Sequence, residues 1–339
     1  MPWYRALLLP FVLAFSLSQT PAASPQLVYK KQYAMGTVYQ IVAYDPSPAR
    51  ASQAIDAAFQ QIVDLDHVMS NFDPESDLSR LERSARFHAV RVPPALFAVI
   101  RDSLTYSRLS AGKFDITIAP VVDLWKAAQR EGTPPSAAQL DRLRACVGYQ
   151  KIQLLPPDRI EFHSSCLRID LGGIGKGFAV DRAAEVLRAQ GIRSALVNAG
   201  GSTFLGWGAP PGLSGWLVHL RDPSGRLDPQ VVLHNNSVST SEQWHASLIE
   251  PGEFGHIIDP TTERPVQSSF AVSVVAPTGT ETDGLSLTLL MMGPSAGKQL
   301  VKKDLTDTAA IWVWPSGEFG TVSNGPEIQL HDSGHASHH

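Results

Sequence analysis

Ile169-Asp170-Leu171-Gly172-Gly173-Ile174-Gly175-Lys176-Gly177-Phe178-Ala179-Val180-Asp181 sets an acid, four glycines and a lysine between a candidate strand and a candidate helix. Leu167 to Asp170 reads as the strand. The helix is expected from near Gly177, because Val180, Ala183, Ala184 and Leu187 fall at i, i+3, i+4 and i+7 before Gly191 stops it. The glycines then form a strand-to-helix turn. Such a turn lets a ligand approach the backbone closely, and the amides of a helix start carry partial positive charge that favours an anion such as pyrophosphate. Lys176 adds a full charge. A turn packed tightly against a sheet, binding nothing, is the alternative reading of the same residues.

The familiar nucleotide motifs do not fit. A Walker A loop needs glycine where this stretch has Asp170 and Ser or Thr where it has Gly177. The dinucleotide pattern G-x-G-x-x-G matches Gly173 and Gly175 but requires glycine at Phe178. Further on, Gly200-Gly201-Ser202-Thr203-Phe204 lacks the final glycine of a G-x-S-x-G nucleophile turn, which argues against an α/β-hydrolase serine.

Downstream, Ser194-Ala195-Leu196-Val197 reads as a strand ending in Asn198-Ala199-Gly200-Gly201-Ser202, so strand, turn, helix and strand form a β-α-β unit with two glycine turns beside one pocket. Strands follow at Trp216 to Leu220, Val231 to His234 and Phe270 to Ala276, with Ala309 to Trp314 as the last. Upstream, Thr37 to Tyr44 alternates as a strand. A helix then buries Ile55, Ala58, Ile62, Leu65 and Met69 before a turn-rich loop that presents Phe72. Pro94 opens a second helix through Leu109, and Gly112-Lys113-Phe114-Asp115-Ile116-Thr117 connects it to a strand. Two short strands, Ile152 to Leu155 and Ile160 to His163, precede the opening stretch.

Three titratable residues stand out. Asp115 is either a turn aspartate or a binding group. His256, in Gly255-His256-Ile257-Ile258-Asp259-Pro260, could take a proton from a hydroxyl near neutral pH, although most of the eleven histidines must be structural or solvated. Asp283 opens a mostly buried helix ending at Gly293, where it either caps the first turn or offers oxygen to Mg²⁺.

The 339 residues allow one large domain or two subdomains, with 43% apolar residues to fill a core. A net charge of −4 gives no reason to expect nucleic-acid or anionic-membrane binding. Arg5, the apolar run Ala6 to Leu17 and the small residues Pro21 to Ser24 have the layout of a secretory signal. That divides the chain into a signal over 1–23, a globular domain over 24–330 and a His-rich tail over 331–339. An exported, periplasmic product without a transmembrane segment follows. Cys146 and Cys166 would then meet an oxidising compartment, as a disulfide or as two buried thiols.

In this order the pieces resemble the ApbE family of FAD:protein FMN transferases. The resemblance runs through Ala34-Met35-Gly36-Thr37, Met69 to Leu81, Gly112-Lys113-Phe114-Asp115, Asp170 to Asp181, Leu196 to Gly201, His256 to Pro260 and Asp283 to Gly293. It implies an α+β fold of mixed sheets and helices with T-fold-like halves. It also implies a Mg²⁺-dependent enzyme that splits FAD, releases AMP and esterifies FMN onto a threonine of an exported acceptor. Family acceptors include subunits of Na⁺-pumping and Rnf-type respiratory complexes. By position, Met35, Phe72, Phe114, Asp115, Asp170, Lys176 and Ile257 fall where the family holds FAD, and the Gly173 carbonyl and Asp283 fall on its Mg²⁺. His256 is the candidate base. Two residues depart from the pattern: Leu287 replaces the Ser or Thr four residues after the metal aspartate, and Glu242 replaces a glycine common after Thr240-Ser241. An FAD pyrophosphatase, with water as acceptor, and a catalytically weakened flavin-binding protein are the other readings.

Overall fold

The computed structural model describes residues 24–243 and 255–330. The expected signal and His-rich tail lie outside them. Among the described residues no helix is long and apolar enough to cross a membrane.

Strands β1 (Gln26–Ala34) and β2 (Thr37–Asp45) form a hairpin closed by Met35 and Gly36 at φ 49° and 74°. A two-residue turn with both φ positive matches the twist of the strands it joins, which is costless for glycine and strained for methionine. The Met35 amide is held there by Asp66 Oδ2 at 2.8 Å. β1 was not expected, because its alternation is inverted: Leu27, Tyr29 and Tyr33 face solvent while Lys30 and Gln32 point inward.

Six more strands complete the sheet: β3 (Ser194–Ala199), β4 (Thr203–Trp207), β5 (Asn236–Glu242), β6 (Ala271–Ala276), β7 (Thr308–Val313) and β8 (Phe319–Asn324). β1 to β8 lie side by side in chain order, and each neighbouring pair is antiparallel. This corrects the β-α-β expectation. Both edges of β3 are taken, by β2 and β4, so Leu167 to Asp170 has no place in the sheet and makes a single parallel bridge, Arg168 to Ile118. Gly200 and Gly201, at φ 61° and 72°, are instead the hairpin turn from β3 to β4.

Helices α1 (Pro48–Met69), α2 (Pro94–Leu109), α3 (Ala119–Glu131), α4 (Gly175–Ala189) and α5 (Gly279–Asp304) are the longer ones. α1, α4 and α5 cover one face of the sheet, where Ile55, Val180, Leu187 and Leu289 meet Ile41, Val197 and Val274 in the main core. A small sheet of Trp216–His219, Pro229–Leu233 and Gln329–Leu330 covers the middle of the other face through Trp216, Val218 and Leu233. The connection Gly112 to Thr117 runs to α3 and not to a strand. Pro120 in its first turn starts α3, left-handed Gly132 ends it, and Val121 and Trp125 bury its inner face.

α5 begins with a capping box, Thr278 with Glu281, so Glu281 is the first-turn acid and Asp283 sits one turn further in. Gly293 (φ 74°) and Pro294 kink this helix without ending it. A disulfide joins Cys146 to Cys166, settling the cysteine alternative.

Candidate active site

α4 starts at Gly175, two residues before the apolar periodicity becomes visible, because Gly175 and Gly177 contribute no side chain to the pattern. The glycine turn is wound onto its own carbonyls. The amides of Ile174 and Gly175 both donate to Leu171 O, at 3.1 and 2.7 Å, and Asp170 Oδ1 accepts from the Gly172 amide at 2.7 Å. Lys176 thus lies in the first turn of α4, which has no side-chain cap.

The start of α4 is locked to the start of α5. Asp181 accepts from the Gly279 and Thr280 amides at 2.6 and 2.8 Å and from Thr280 Oγ1 at 2.5 Å, satisfying donors that a helix start otherwise leaves orphaned. The two backbones touch at Gly177 and Gly279, where a Cβ on Gly177 would lie 2.0 Å from Gly279 O. This contact sets Asp283. Its Oδ2 accepts from the Gly177 amide at 2.9 Å, while its Oδ1 lies 3.5 Å from Lys176 Nζ and accepts from Ser239 Oγ at 3.4 Å.

Asp283 and Lys176 stand on the wall of a cleft of about 440 Å³, within the size range of small-molecule sites. Asp170, Gly173 and His256 share its lining, as does Ser202 from the β3–β4 turn. Phe114, Ile257 and Leu287 make its apolar side. The cleft thus combines charged groups, Lys176 and Asp283 3.5 Å apart among them, with apolar walls suited to a flat ring.

Two of the expected cofactor residues lie elsewhere. Met35 is half-buried behind the glycine turn, its Cε 3.5 Å from where a Cβ on Gly175 would stand and its Sδ accepting from Tyr39 OH at 3.3 Å. Phe72 is 82% exposed, with Lys126 Nζ 5.4 Å from its ring centroid. Asp115 lines the cleft, but both its oxygens are engaged, Oδ1 by the Thr117 amide and hydroxyl and Oδ2 by the Tyr149 amide. Burial lifts its carboxyl above the ordinary carboxylate value, against those hydrogen bonds and the Lys151 charge. It holds the loop that carries Phe114.

His256 is still exposed on the cleft, yet it is held below the ordinary histidine value, first by partial desolvation and next by the Lys176 ammonium, with Glu242 pulling the other way. The imidazole is therefore neutral at pH 7 and able to accept a proton. Glu242 is itself paired with Arg221, at 3.0 Å to Nε and 2.6 Å to Nη2. Glu242→Gln removes the carboxylate that supports imidazolium, so His256 is expected to titrate at a still lower pH, read from its ring resonances by NMR. An upward shift would show that Glu242 does not act on His256.

Two residues that sequence reasoning passed over position the His256 segment. The buried Gln243 amide brackets Ile257, accepting from its N–H and donating to its carbonyl at 2.9 Å. Lys113 Nζ donates to Asp259 Oδ2 at 2.7 Å and to Thr261 Oγ1 at 2.8 Å, tying the Phe114 loop to the histidine segment. Lys113 belongs to the stretch Gly112-Lys113-Phe114-Asp115, whereas nothing in the sequence around Gln243 marks it.

Residues 35–312 match the sequence pattern described as the ApbE family. The chain belongs to the ApbE family. Among ApbE relatives, the FAD:protein FMN transferase of Salmonella typhimurium is 26% identical over 324 residues, spanning 89% of this chain and 91% of its own length. That of Klebsiella pneumoniae is 28% identical over 353 residues, spanning 96% and 99%. The apo flavinyl transferase ApbE of Pseudomonas stutzeri superposes with a TM-score of 0.75 at 26% identity, over 88% of this chain and 95% of that one. The Thermotoga maritima ApbE protein shares the fold, with a TM-score of 0.76 at 22% identity over 89% and 100%. The antiparallel sheet with helices is thus the ApbE architecture expected from the sequence.

Proposed function

We propose that this ApbE protein transfers FMN from FAD to a threonine of an exported acceptor and releases AMP. The observation that carries the reading is the single cleft in which Lys176 and Asp283, at the helix-start end, share walls with Phe114, Ile257 and His256. Those groups suit a molecule with a pyrophosphate and a flat ring. In the transfer, the threonine oxygen forms a bond to the FMN phosphorus as the pyrophosphate P–O bond to AMP breaks. The threonine proton passes to the neutral imidazole of His256. The AMP phosphate leaves with the added negative charge, which Lys176 is placed to offset.

The Mg²⁺ implied by the resemblance finds two protein donors here, the Asp283 carboxylate and the Gly173 carbonyl, both on the cleft. They fit an ion that takes the rest of its oxygen shell from phosphate and water, as Mg²⁺ commonly does. Bound there, it would neutralise charge on the phosphate oxygens. Export is supported by the N-terminal signal pattern and by the disulfide, which belongs to an oxidising compartment. We place the acceptor among exported subunits of respiratory electron transport.

The test is to incubate the protein without residues 1–23 with FAD, Mg²⁺ and an exported protein carrying a threonine flavinylation site, then run a denaturing gel. A fluorescent acceptor band with one AMP released per flavin is expected. AMP without that band would replace transfer by hydrolysis, and neither product would leave a flavin-binding protein.

A further inference from the structure

The position four residues after Asp283 is where the family resemblance calls for a hydroxyl, and Leu287 fills it with hydrocarbon. Its Cδ2 lies 2.4 Å from the point where a Cβ on Gly173 would stand, and Phe114 Cε2 lies 3.2 Å from that point. The backbone offered to the cation is thus packed against an apolar wall. The neighbouring hydroxyls of α5 do not take its place, and those of Ser239 and Thr203 approach Asp283 Oδ1 itself, at 3.4 and 3.5 Å. Ser286 Oγ donates to Asp283 O at 3.1 Å and meets Ser241 Oγ at 2.9 Å, so it faces the hydroxyl cluster under β5. Thr288 is fully buried and does not line the cleft.

Asp283 is also largely committed. Oδ2 holds the Gly177 amide, and Oδ1 lies beside the Lys176 ammonium. The protein therefore offers one carboxylate oxygen and one carbonyl to an ion that demands about six oxygens in near-octahedral order. Among the described residues no cluster of three His, Cys, Asp or Glu side chains supplies more. Charge points the same way. Lys176 Nζ lies 3.5 Å from Asp283 Oδ1, so a divalent ion placed there alone meets a nearby ammonium. A pyrophosphate changes this, because it brings both negative charge and ligand oxygens.

We propose that the cation is not a resident of this protein but enters on the pyrophosphate of FAD, and that Leu287 is the residue that leaves the free site too poor to retain it. The inference rests on the FAD reading above.

Mn²⁺ is a paramagnetic probe for such a site, since its free signal is lost on binding. The parent protein without FAD is expected to leave that signal unchanged. With FAD it should remove more Mn²⁺ than FAD alone does. Leu287→Thr restores an oxygen on the Asp283 face of α5 and is expected to raise Mn²⁺ affinity in the absence of FAD at least about tenfold, the scale on which ligand-shell changes act. Binding of Mn²⁺ by the FAD-free parent as tight as in the presence of FAD would overturn the proposal, and so would the absence of any uptake beyond that of free FAD. The parent pair decides the matter even if Leu287→Thr does not fold. Flavin fluorescence separates this result from the function itself. Joint uptake of FAD and Mn²⁺ with no acceptor labelled leaves the inference standing and removes the transferase reading, whereas no quenching of flavin fluorescence removes both.

Discussion

Replacing Gly177 by alanine is expected to cost the protein about 3 kcal/mol and to dismantle the site with it. The added Cβ would stand 2.0 Å from Gly279 O, 2.5 Å from Gly279 C and 2.7 Å from Asp283 Cβ. Two of these three neighbours are backbone, so no side-chain rotation can relieve the overlap, and α4 must move away from α5. That movement strains the three hydrogen bonds from the α5 start to Asp181 and the bond from the Gly177 amide to Asp283. The loss should be read as a lowered urea midpoint at unchanged slope, together with lost FAD binding. Gly191→Ala is the comparison, because a Cβ there meets nothing within 4 Å, although its φ of 82° carries a local strain of its own. A Gly177→Ala midpoint no lower than that of Gly191→Ala would show that the helix contact does not bear on stability.

The same contact explains what the sequence could and could not say about the site. Lys176, Asp170, Gly173, His256 and Asp283 were each visible as a chemical type in a suggestive setting, and all five line one cleft. Their grouping depends on the α4–α5 lock, which is written in residues with little or no side chain, Gly177 and Gly279, and in Asp181, whose partners lie about 100 residues further along the chain. Glycine turns were legible as turns, but not as partners. The strand at Leu167 to Asp170 failed for a related reason. A local apolar pattern cannot tell whether a sheet edge is free, and here β2 and β4 had closed both edges of β3. Met35 and Phe72 have a cofactor role only through the resemblance. Phe72 is exposed, as its turn-rich loop implies, and Met35 lies behind the glycine turn.

His256→Ala is expected to slow flavin transfer by about 10²- to 10⁴-fold, the usual worth of a placed general base, while FAD still binds. The pH dependence makes the role specific. His256 has a lowered pKa, so its neutral, proton-accepting form persists to lower pH than an ordinary histidine with a value of about 6.5. Below the folded pKa the imidazole is protonated and the rate must fall, about tenfold per pH unit, so the acid limb of kcat/KM should lie below that ordinary value. Lys176→Met removes the ammonium that helps to hold the imidazole neutral and should move the acid limb of kcat/KM to higher pH. A His256→Ala enzyme that keeps the parent rate, or keeps the acid limb, would assign the proton to another group.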